Sequence, residues 1–162
     1  MDIKNNETNS NANLNLAYEY TKIVLEAKVK ILDTLDSRMG MFLGFGGVLL
    51  KFGLDAPSEL PSEQTLKTTF IALTVLSVCT NASGLLAKGT GNAVKPKKLM
   101  TDKYYNEENP RVKAFLINTW AELVEELEEM GKTKSIYLNS AITLLALAVI
   151  MLGTISIIEI YF

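Results

Sequence analysis

Hydrophobic positions along the chain gather into three uncharged blocks, with polar sequence between them. The last block, Ile136 to Ile158, runs 23 residues without a charge. A helix rising about 1.5 Å per residue needs about 20 such residues to cross the hydrocarbon of a bilayer. Tyr137 stands at its start and Tyr161 and Phe162 lie beyond its end, where amphipathic rings favour a membrane interface. The second block, Thr68 to Ala87, is bounded by Lys67 and Lys88 and is also long enough to span. The first is shorter: Met39 to Leu50 gives 12 uncharged residues before Lys51. A block of that length also suits a re-entrant segment or a buried core helix. A span is expected over 39–54, because Lys51 can extend its stem along the apolar surface to water.

Outside the blocks the pattern becomes amphipathic. Leu16, Tyr20, Ile23, Val24, Ala27, Ile31 and Leu35 recur at helical spacing and predict a helix over about 14–37 that leads into the first span. A second begins near Asn109-Pro110, a capping residue followed by proline at the first helical position. It runs over about 110–134, with Leu116, Trp120, Leu123, Leu127 and Met130 on a coiled-coil-like seam and an acidic remainder. The two helices either cover each other's apolar faces or also mediate self-association. Trp120 is expected to be core. The predicted fold class is therefore an all-α membrane protein of about three transmembrane helices (39–54, 68–87, 136–158). Amphipathic cytoplasmic helices continue spans one and three, all within one helical domain over 14–162. Residues 1–13, polar and asparagine-rich, are expected to be a disordered tail, having too little apolar surface to offset the entropy of ordering. They lack the basic and apolar regions of a signal peptide.

Charge sets the expected orientation. With the amino end in the cytoplasm and three crossings, fourteen of the sixteen Lys and Arg residues fall inside and only Lys51 and Lys67 outside. This is the positive-inside bias of inner-membrane proteins, and it puts the carboxyl end outside. The outer connector, Asp55 to Gln64, is short and acidic, with Pro57 and Pro61. The net charge of −2 gives no reason to expect a nucleic-acid partner.

Candidate chemistry is sparse. Histidine is absent, which removes the commonest general base and metal ligand. No metal, cofactor or catalytic constellation is expected. The lone cysteine, Cys79, reads as a small buried apolar residue. Asp33, Asp36 and Arg38 cluster at the cytoplasmic mouth of span one, either as an anchor in which Arg38 pairs with an acid or a lipid phosphate, or as a gate. Lys95, Lys97 and Lys98 form a basic patch around Pro96, suited to topology setting and anionic lipid or to a phosphate contact. Gly40, Gly44 and Gly47 put small residues near one face of span one, with a GxxxG pair that permits close helix approach. Asn81 is expected to face another helix, because its amide is costly against lipid.

The order of these features resembles the small transmembrane effectors of bacterial anti-phage nucleotide signalling, of the Pycsar and SLATT kinds. An amphipathic helix enters a span through Leu35-Asp36-Ser37-Arg38-Met39-Gly40, and a final helix carries Lys132 and Lys134 just before the last span. In the Pycsar kind, an aspartate, one variable residue and a basic residue open the first span, as Asp36-Ser37-Arg38 does here. The resemblance covers about residues 16 to 162 and implies a non-enzymatic effector in the bacterial inner membrane. Such an effector answers a cyclic nucleotide or a cytoplasmic sensor protein by rearranging or oligomerising, and then impairs the membrane. Its implied partners are the lipid bilayer and further copies of itself. The competing expectation is a structural or accessory subunit of a larger membrane complex.

Overall fold

The computed structural model describes residues 3–55, 61–87 and 109–161, with side chains over 12–55, 64–87 and 110–158. Within them the chain is all helix: α1 (Ile3–Asp55), α2 (Pro61–Leu86) and α3 (Asn109–Tyr161). Pro61 opens α2, where its missing N–H costs no intrahelical bond. α1 starts at Ile3, well before the expected onset near residue 14, so the stretch expected to be a disordered tail is helical from there. No proline or glycine interrupts residues 1–13, so nothing stops the helix from propagating backwards out of its amphipathic part.

The chain divides into two compact units, residues 1–32 with 89–130 and residues 33–88 with 131–162. In the first, α1 and α3 pair in parallel. Lys113 Nζ donates to Asn15 Oδ1 at 2.6 Å, and Lys28 Nζ meets Glu128 Oε2 at 3.1 Å. Tyr18 and Trp120 stack with ring centroids 5.0 Å apart, tilted by 37°. The contact face of α1 is not the stripe expected from its apolar residues. Leu16, Tyr20, Ile23 and Ile31 are exposed, at 71, 68, 61 and 53 %. A line of half-buried and buried positions runs through Leu14, Tyr18, Thr21, Leu25, Lys28 and Leu32, at alternating four- and three-residue steps, with Ala17 and Val24 half-buried beside it. That is the 3.5-residue repeat of a coiled coil. On α3 the expected seam of Leu116, Trp120, Leu123, Leu127 and Met130 is half-buried throughout.

The second unit packs α2 antiparallel to both other helices. Each contributes a seam in the same repeat: Met39, Gly46, Leu49 and Gly53 from α1; Phe70, Thr74, Ser77, Asn81 and Gly84 from α2; Lys134, Leu138, Ala141, Leu145 and Ala148 from α3. Leu49, Phe70, Leu145 and Ala148 form one core cluster, with Phe42, Ile71 and Met151 packed around it. The glycines that permit close approach are Gly46, Gly53 and Gly84. A Cβ on Gly46 would lie 2.7 Å from Val78 Cγ2, and one on Gly84 would lie 2.7 Å from Met39 Cε and 2.8 Å from Tyr137 Cβ. Gly53 lies against the Phe70 ring. The expected packing glycines, Gly40, Gly44 and Gly47, point into open space instead.

Two helices are long and apolar enough to cross a membrane, over Gln64–Leu86 and within Pro110–Ile158. Only 28 % and 22 % of those apolar stretches is buried, far less than a core helix of a water-soluble domain would bury. α1 does not reach the same length and apolarity, because Arg38 and Lys51 close in on its apolar run and glycine dilutes it.

Candidate functional site

The second unit leaves large apolar side chains exposed and buries polar ones among its apolar core. Its outward faces carry Met41, Phe45, Phe52, Leu76 and Ile150, all at least 48 % exposed. Its buried polar side chains are Thr74, Ser77, Asn81 and Lys134. Three of these lie on one face of α2, because steps of three and four residues return a helix to the same side.

Each makes a different use of its polar atoms. Ser77 Oγ donates across the interface to the Ala141 carbonyl at 2.7 Å. Asn81 Nδ2 donates to the Met39 carbonyl of α1 at 3.0 Å, while its Oδ1 has no hydrogen-bond partner among the described residues. Thr74, fully buried, donates at 2.8 Å to the Phe70 carbonyl of its own helix. Toward one end Gly84 admits the Met39 and Tyr137 side chains. One turn beyond Met39, Asp36 accepts from Lys134 Nζ at 2.5 Å. The Lys134 side chain is 7 % exposed and that of Asp36 41 %. At the opposite end the Phe70 ring fills the seam against Gly53. There Lys67 Nζ also donates to the Leu54 carbonyl at 3.1 Å, satisfying one of the carbonyls that the end of α1 leaves free.

Of the expected mouth cluster, Asp36 alone enters this arrangement. Asp33 and Arg38 are exposed, and among the described residues Asp36 pairs with Lys134 and not with Arg38. Residues two apart on a helix do not face each other, so Asp36 turns to α3. Asn81 faces another helix, as its amide requires. Lys95, Lys97 and Lys98 lie outside the described residues. Cys79, expected to be buried, is exposed, since it falls between the seam positions Ser77 and Asn81 on the outward side of α2. Sequence reasoning marked Lys134 only as a lysine before the last span, without its pairing to Asp36, and missed Thr74 and Ser77. The legible signal was the repeat Thr74-Ser77-Asn81-Gly84, which follows Phe70 and puts polar and small residues on one face.

Comparison with protein-family models, curated proteins and solved structures finds no match to this chain.

Proposed function

We propose that the chain is a multi-pass protein of the bacterial inner membrane, with its amino end in the cytoplasm and its carboxyl end outside. We propose further that it acts as a non-enzymatic effector whose spans rearrange or self-associate to make the membrane leak. The observation that carries the reading is the large exposed apolar surface of the second unit, beside which four polar side chains are buried. Water would penalise that surface, whereas lipid tails solvate it and force polar groups inward. α1 supplies the third span over 39–54. Its seam residues interlock with both other helices, which supports burial of a segment too weakly apolar to insert alone. The placement of fourteen cations on one side supports the orientation.

The first unit is the receiving part. Its α1–α3 pair has a half-buried seam and an uncovered apolar stripe at Leu16, Tyr20, Ile23 and Ile31. A pair so lightly packed responds to any ligand or partner that favours one arrangement over another. A cyclic nucleotide or a cytoplasmic sensor protein fills that role, in keeping with the resemblance to anti-phage effectors. The uncovered stripe supports self-association, and equally docking on a larger complex as an accessory subunit.

The test is dye and ion release from proteoliposomes carrying the full chain, with and without cyclic nucleotides, alongside membrane integrity in expressing cells. Release that depends on a signal upholds the effector. A correctly inserted chain that releases nothing under any condition, and that pulls down a stoichiometric partner in mild detergent, favours the accessory subunit.

A further inference from the structure

Hydrogen bonds between membrane helices serve first as glue, and Ser77 fits that role. Asn81 Nδ2 serves it too, donating to the Met39 carbonyl of α1, but Thr74 and the Asn81 Oδ1 do not. Thr74 spends its proton on its own helix, so its hydroxyl joins no two helices, and valine would fill the same space. Asn81 keeps a buried acceptor without a partner among the described residues, a cost that adhesion alone does not explain. Buried polar groups inside a membrane bundle are characteristic of pathways for ions and protons.

Resting on the membrane reading above, we infer that the seam through Thr74, Ser77 and Asn81 is a shut path for water and small monovalent cations, plugged by the Lys134 ammonium at one mouth and the Phe70 ring at the other. The lining chemistry selects the ion. The two hydroxyl protons and one Asn81 amide proton are committed to main-chain carbonyls, so the polar atoms that α2 leaves over are mainly oxygen lone pairs, set among Met39, Leu49 and the apolar seam of α3. Such groups replace the hydration shell of a cation. The three residues cover about 10 Å of helix, a third of the hydrocarbon thickness. At the Asp36 mouth a cation is already in place: the lysine ammonium, tethered and almost wholly buried. Its partner carboxylate is partly exposed, so water can compete for it there. When Lys134 leaves, the mouth presents a bare carboxylate that draws cations in.

The experiment uses the full chain in vesicles of phosphatidylethanolamine and phosphatidylglycerol, loaded with potassium chloride and calcein. Membrane insertion and helix content are checked for every variant. Asp36→Asn and Lys134→Met each release potassium about tenfold or more faster than the wild-type chain, as the balance between shut and open states shifts. Calcein, a large anion, stays inside. Lys134→Met, which keeps the carboxylate, prefers potassium over chloride more strongly than Asp36→Asn does. Adding Asn81→Leu to either variant returns release to the wild-type level. The charge exchange Asp36→Lys with Lys134→Asp restores a shut path. Should Lys134→Met fail to insert, Asp36→Asn carries the test, since its side chain is already partly in water. Variants that insert yet release potassium no faster than wild type overturn the path. Calcein release indifferent to Asp36, Lys134 and Asn81 also overturns it, while leaving the effector reading in place. A potassium leak confined to the variants, with the wild-type chain inert to every signal, upholds the path and counts against the effector reading.

Discussion

Gly53 and Gly44 lie on one helix and do opposite things. A methyl group at Gly53 would enter the Phe70 ring, which is fully buried and held between helices. Gly53→Ala is expected to destabilise the chain by about 1–3 kcal/mol, the usual cost of overpacking. A methyl group at Gly44 meets nothing within 4 Å. Gly44→Ala is expected to be neutral or to stabilise by up to about 1 kcal/mol through helix propensity alone. Unfolding of the detergent-solubilised chain, followed by circular dichroism, separates the two; equal effects would contradict the packing described. The GxxxG spacing of Gly40 and Gly44 drew attention to the wrong glycines, because spacing fixes which residues share a face and only the partner helices fix which face is covered. Asn81 was legible for the opposite reason. An amide in a long apolar run has few tolerable directions.

At the scale of the element, α1 shows why periodicity alone misplaced most of the buried line of a helix, Val24 and Leu35 being the half-buried members of the expected stripe. Its buried line passes through Thr21 and Lys28, which look like surface residues in the sequence. Thr21 donates to the Ala17 carbonyl at 2.8 Å, and Lys28 extends its apolar stem along the interface to reach Glu128. The richer stripe of Leu16, Tyr20, Ile23 and Ile31 competes for attention and is left outside. On α3 five glutamates thin out the competing positions, and the expected seam is half-buried, with Val112, Phe115, Ile117 and Val124 beside it. Within the first unit the Tyr18–Trp120 contact joins α1 to α3. Trp120→Ala is expected to speed amide hydrogen exchange over residues 14–32 and 112–130 while leaving 64–86 and 138–155 unchanged. Uniform acceleration throughout would mean that the first unit does not open separately. Lys28→Ala, by contrast, removes an ion pair with both partners partly exposed and should change stability by no more than about 0.5 kcal/mol.

For the whole molecule, the helices were readable because uncharged runs of span length are rare by accident and their ends are marked by charge and proline. The polar seam was not readable, since it exists only once three helices, two of them far apart in sequence, lie side by side. Cys79 offers a direct test of the surroundings of α2, standing on its outward side as the sole cysteine. A nitroxide attached there and reconstituted in vesicles is expected to relax faster with dissolved oxygen than with a water-soluble nickel chelate. The reverse order would place that side of α2 in water. Reporter fusions should place the amino end and the connector of Lys95, Lys97 and Lys98 on the cytoplasmic side, and the carboxyl end opposite.

A closely packed inside that mixes apolar and polar residues, under an outside that is large and oily, changes which mutations the protein can absorb. In a water-soluble domain, drift accumulates among exterior charges while interior leucines stay fixed. Here Phe45, Leu76 and Ile150 should exchange freely among aliphatic and aromatic residues and reject arginine or aspartate, while Gly84, Ser77 and Ala141 should reject any enlargement. Deep mutational scanning for membrane-inserted protein would display that tolerance map, and an ordinary soluble-protein profile would refute it.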